Sequence, residues 1–86
     1  MKEAIRYTAT WCGPCRTYAK YWDRVVETRN DWTFRVIDVD ADPESAAKHK
    51  IMSIPTTVLI KDGEVVAKHV SVMTEKEINE KLDYWS

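Results

Sequence analysis

With 86 residues, 13 Lys and Arg against 14 Asp and Glu, and a formal net charge of −1, the chain has length for one small domain, residues 1–86, and no basic excess to hold nucleic acid. Its opening, MKEAIRYTAT, lacks a long apolar run ahead of a small-residue cleavage site, so neither a secretory leader nor a membrane span is expected and the chain reads as cytoplasmic. Two cysteines are too few for a secreted disulfide scaffold, and in a reducing compartment a close pair points to catalysis or metal binding.

In chain order, residues 4–8 (AIRYT) are rich in strand formers and end at a Trp-Cys-Gly-Pro turn. From Cys15 to Thr28 the apolar residues Tyr18, Ala19, Trp22, Val25 and Val26 fall at helical spacing, and Asn30-Asp31 stops the run. Residues 33–40 (TFRVIDVD) have the β-branched and aromatic density of a second strand. Asp42 then caps and Pro43 opens a short helix over residues 43–50, since proline at a first helical position forfeits no needed hydrogen bond.

Residues 56–60 and 64–70 read as two further strands, joined by the tight hairpin signal Asp62-Gly63. Thr74 and Glu77 make a capping box, followed by an apolar stripe of Ile78, Leu82 and Trp85 on a terminal helix. The order β-α-β-α-β-β-α predicts an α/β fold with a mixed four-stranded sheet flanked by helices, its two crossovers linking parallel strands and its hairpin adding an antiparallel edge. A chain this short buries proportionally little surface, so large aromatic side chains have to fill the core; Trp22, Trp32, Phe34 and Trp85 are the candidates.

The chemistry concentrates in WCGPC, Trp11 to Cys15, where a strand runs into a helix N-terminus. Unpaired N–H groups and the helix dipole favour an anion there, and a thiolate is one. Cys12, at the helix start, is expected to be the attacking sulfur, and Cys15, a turn further in, the shielded resolver. Gly13-Pro14 suits a tight entry into helix, and Trp11 offers a flat apolar shelf. A lone pair of cysteines can also be half a zinc site, but zinc needs four ligands, and the other soft candidates, His49 and His69, lie far apart in sequence.

WCGPC together with Ile54-Pro55-Thr56 resembles the thioredoxin family, and the element order matches a thioredoxin-like fold over essentially the whole chain. The resemblance implies a thiol-disulfide oxidoreductase acting as a protein-disulfide reductase: Cys12 attacks a substrate disulfide, a mixed disulfide forms, and Cys15 releases it, leaving a redox disulfide between the pair. Such exchange needs no cofactor. Disulfide-containing proteins are the implied substrates and a thioredoxin reductase-like enzyme or glutathione the electron donor, a place in electron transport and cell redox homeostasis that a monomer can fill. The resemblance also implies a cis Pro55 facing the cysteines, where sequence statistics alone favour trans, and an Ile54 backbone that pairs with bound peptide. Trp11, Gly13, Pro14, Ile54, Pro55, Val70, Ser71, Val72 and Met73 are the expected groove.

The chain departs from the family pattern at Arg6, where thioredoxins usually carry a buried aspartate, and at Val36, where a lysine is common. Two readings of Arg6 stand open: a side chain that points to solvent or packs its stem along the sheet while pairing with Asp38, or a fixed cation beneath the motif that favours thiolate. The first strand and helix usual in thioredoxins are missing, leaving a glutaredoxin-sized core. This size keeps two alternatives in view: a glutathione-dependent glutaredoxin-like reductase, with Arg16 near the thiolate, and a redox-independent binding subunit of a larger assembly.

Overall fold

Ala4, Ile5, Arg6 and Tyr7 are consecutive and all buried, so their strand is covered on both faces rather than lying at an edge. The computed structural model describes every residue, Met1–Ser86, and places this strand, β1 (Lys2–Thr8), inside a sheet with β2 (Thr33–Asp38), β3 (Thr56–Lys61) and β4 (Glu64–Val70). The helices are α1 (Gly13–Thr28), α2 (Pro43–Lys48) and α3 (Glu75–Tyr84), and the strand order is β2-β1-β3-β4. The expected element order and mixed sheet are both present.

One expectation fails. Only β1 and β2 run parallel; β3 lies antiparallel to β1, with Tyr7 opposite Thr56, so the second crossover does not link parallel strands. The connection ends where it began: β2 finishes with Asp38 opposite Thr8, and β3 starts with Thr56 opposite Tyr7. The chain therefore re-enters the sheet from the end at which it left. The hairpin after β3 turns on Asp62 and Gly63, both with positive φ (52° and 86°), as a primed turn requires.

The sheet separates two cores. On one face Ala4 and Leu59 pack with Tyr18, Trp22 and Val25 of α1 and Ile78 and Leu82 of α3. Trp22 meets Tyr18 and Phe34 edge-on, at ring-centroid distances of 6.0 and 5.6 Å. On the other face Ile5, Tyr7, Ile37 and Val58 pack together with Ala46 of α2 against them. Trp22 and Trp32 are buried as expected, whereas Phe34 and Trp85 only edge the first core; Trp85 is the C-cap of α3 rather than part of its stripe.

Local caps hold the elements in register with this packing. Asp42 accepts from the Ser45 amide at 3.1 Å to start α2, and Lys68 of β4 donates to the carbonyls of His49 and Lys50 beyond the end of that helix. Arg29, the C-cap of α1, donates to Asp31, Asn79 and Asp83 and so ties α1 to α3; its hydrogen bonds hold the Asp31 carboxyl below the usual range. The α3 capping box is complete: the Glu77 amide donates to Thr74 Oγ1 and the Thr74 amide to Glu77 Oε1. Thr74→Ala removes half of it and is expected to lower stability by about 1 kcal/mol, and the midpoint of a calorimetric melt by roughly 5 °C for a domain of this size.

Candidate active site

The C-terminal end of β1 delivers the chain to a short loop tied down at several points. The Val39 amide donates to Thr8 O at 2.9 Å and the Cys12 amide to Ala9 O at 3.2 Å, while Arg16 reaches back to the Thr10 carbonyl at 3.0 Å. Cys12 is the N-cap of α1, with Gly13 and Pro14 opening the helix two residues earlier than the apolar periodicity indicates. Its Sγ accepts a hydrogen bond from the Cys15 amide at 3.2 Å. Cys12 and Cys15 form a disulfide, with Cα atoms 5.3 Å apart.

Both sulfurs are shielded: Cys12 is 4% exposed and Cys15 1%, in a small cluster with Ala9 that Val39 and Ile54 pack against. Sequence reasoning assigns shielding to Cys15 alone; in the disulfide-bonded structure Cys12 is nearly as enclosed. Trp11 stands exposed beside the pair and donates its indole N–H to Asp40 Oδ2 at 2.8 Å. Asp40 was invisible as a site residue because only the folded chain brings the turn after β2 beside the motif. A hollow of about 360 Å³ opens between Trp11, Val39, Ile51, Met52, Ser53 and Ile54.

The peptide bond Ile54-Pro55 is cis. Pro55 O accepts from the Ser71 amide at 2.9 Å, which brings the loop after β4 to the same end of the sheet. Val70 and Ser71 are exposed there and Val72 half-buried, but Met73 turns inward and packs in the core with Trp22, Ile78 and Leu82, so it leaves the expected groove surface. His49 packs edge-on to Tyr7 on the α2 side and His69 lines the α3 side, and no group of three or more metal-ligating residues converges anywhere.

The pairing of Arg6 with Asp38 does not form. Asp38 instead accepts from the amides of Asp40 and Ala41 and closes the turn after β2. Arg6 is 7% exposed, its guanidinium carbon 5.9 Å from the centre of the Trp22 ring. The strand pleat sends Arg6 toward α1, because Ala4 on the same pleat packs against Tyr18 and Trp22.

A vicinal cysteine pair at the junction of a central strand and a helix N-terminus defines the class: a thiol-disulfide oxidoreductase on a thioredoxin-like α/β fold. The thioredoxin family model matches residues 2–84. A thioredoxin of Staphylococcus epidermidis is 39% identical over 85 residues, taking in 94% of this chain and 79% of its own, and one of Mycoplasmoides gallisepticum is 33% identical over 81 residues, taking in 94% and 81%. The crystal structure of oxidised mitochondrial thioredoxin 3 from Saccharomyces cerevisiae superimposes with a TM-score of 0.89 at 29% identity, covering 96% of this chain and 77% of that one. The solution structure of oxidised thioredoxin from Plasmodium falciparum gives 0.86 at 25%, covering 98% and 80%. The chain belongs to the thioredoxin family.

Ser71 carries φ of 100°, a region open to glycine and strained for any residue with a Cβ. Ser71→Gly relieves that strain while keeping the amide that reaches Pro55, and is expected to raise stability by about 1 kcal/mol, read as a higher denaturation midpoint in urea at unchanged slope.

Proposed function

We propose that residues 1–86 act as one monomeric cytoplasmic domain that reduces protein disulfides, with Cys12 as nucleophile and Cys15 as resolver. The observation that carries the reading is the Cys15 amide directed at Cys12 Sγ from the first turn of α1. The bridged sulfur stands in for the thiolate of the reduced form, where the same amide and the helix N-terminus stabilise negative charge. Cys12 thiolate attacks one sulfur of the substrate disulfide, and the other sulfur departs as thiolate. Cys15 thiolate then attacks Cys12, forming the internal disulfide and expelling the second substrate sulfur with its electron pair.

Substrate binding draws on backbone left unsatisfied. Ile54 makes no backbone hydrogen bond within the chain, so its N–H and carbonyl are free to pair with an extended peptide. Trp11, Gly13, Pro14, Pro55, Val70, Ser71 and Val72 frame the approach. A Cβ on Gly13 would meet no atom within 4 Å, so packing does not require a glycine there.

The relatives are themselves thioredoxins, which favours neither a glutathione-dependent glutaredoxin-like reductase nor a redox-independent subunit. A thioredoxin reductase-like enzyme is the electron donor we favour over glutathione. The exposed disulfides of insulin serve as a test substrate. Wild type is expected to reduce them with dithiothreitol as donor, Cys12→Ser to fall to background, and Cys15→Ser to accumulate a mixed disulfide detectable by mass. A wild type inert with every reductant would falsify the proposal.

A further inference from the structure

Arg6 is the only charged side chain the fold takes inside. Its Nε is sealed from solvent without a hydrogen-bond partner, and none of the three ion pairs involves it. Burial draws its pKa down, against the opposing pull of Asp23 and Tyr18, yet a guanidinium remains protonated. An unpaired buried cation is destabilising, and an apolar residue of similar volume would pack as well or better. Contact with the Trp22 ring recovers only part of that deficit.

The position of the charge suggests what it does. Cys15, Tyr18 and Trp22 are buried residues of α1, and Arg6 packs against the Trp22 part of that helix, its guanidinium carbon 5.9 Å from the ring centre. Thr57, opposite Arg6 in the ladder, shares a hydrogen bond of 2.6 Å with the Tyr18 hydroxyl. Burial pushes Tyr18 up to about 12, so its phenol stays neutral. The other charged groups around these residues are Asp23 on α1, Glu77 and Lys81 on α3 and His69 on β4, all outside the core.

We propose that Arg6 is a positioning residue for the redox couple: its buried charge stabilises the Cys15 thiolate and so favours the dithiol over the disulfide. This rests on Cys15 being the resolver. When Cys15 thiolate attacks Cys12, the new sulfur–sulfur bond forms as the substrate thiolate leaves with its electron pair, and the negative charge on the helix that Arg6 packs against disappears. The cation therefore favours the state before the step, making the couple less reducing than a neutral residue would. Asp23 partly compensates Arg6, so removing that carboxylate moves the couple the same way as strengthening the cation.

The test equilibrates Arg6→Met, Arg6→Lys and Asp23→Asn with glutathione buffers and follows thiolate ultraviolet absorbance against pH. Arg6→Met keeps the apolar stem under Trp22 and is expected to shift the equilibrium toward disulfide about tenfold, or about 30 mV for a two-electron couple, with the Cys15 titration moved to higher pH. Arg6→Lys should stay near wild type, and Asp23→Asn should shift both readouts the opposite way by a smaller factor. An Arg6→Met protein with unmoved equilibrium and titration overturns the inference. If that variant does not fold, an unmoved Asp23→Asn, altered at an exposed position, overturns it instead. Insulin reduction on the same samples separates the two proposals: inert wild type sinks the reductase reading, whereas active enzyme with unmoved potentials sinks only the role of Arg6.

Discussion

At the start of α1, amides that helix geometry leaves without partners meet a sulfur supplied by the residue just outside the helix. The Cys15 N–H that reaches Cys12 Sγ does double duty, capping the helix and setting the polarity of the cysteine. A serine or aspartate there would cap as well but would carry no redox chemistry. Folding and reactivity therefore share one contact, which ties the orientation of the sulfur to the axis of α1. That axis is in turn held by Tyr18, Trp22 and Val25 against the sheet and by Arg29 against α3.

The rest of the site depends on loops meeting at one end of the sheet, where β1 and β2 finish and β3 begins. β3 begins beside the motif, and Ile54-Pro55 arrives next to Cys12 and Cys15. Val39 bonded to Thr8 and Ser71 bonded to Pro55 fasten the flanking loops to that end. Trp11 is held from the far side by Asp40. The surface proposed to take substrate is thus assembled from four loops, with Ile54 free of backbone hydrogen bonds where a peptide strand would dock.

Much of this was legible in the sequence because it is local. The proline and aspartate of α2, the Thr74–Glu77 box and the Asp62-Gly63 hairpin each announce themselves within four residues, and α1 shows its buried face as a periodicity. The direction of β3 was not legible, since strand polarity depends on where a connection comes back and not on composition. Nor were the Trp11–Asp40 bond, the positive φ of Ser71 or the inward turn of Met73, which arise from contacts between distant segments. Arg6 is the instructive case: charge alone favours pairing with Asp38, but the pleat directs it to the α1 face while Asp38 is engaged by its own turn.

The two faces of the sheet carry different burdens. The α2 face is an aliphatic layer with Tyr7 anchored to Ser45, and it holds no buried charge. The α1–α3 face is aromatic, and it is the one that accommodates a guanidinium. Trp22 can do so because its ring face carries electron density that attracts Arg6, while Tyr18 and Phe34 pack against the same ring in T-shaped pairs. Edge-on pairs contribute about 0.5–1.5 kcal/mol each beyond burial, comparable in scale to the desolvation of one hydrogen-bonding group left unpaired. A dense aromatic core under the active-site helix thus lets so small a chain tolerate an unpaired buried cation, and that cation packs against the same helix that carries Cys15.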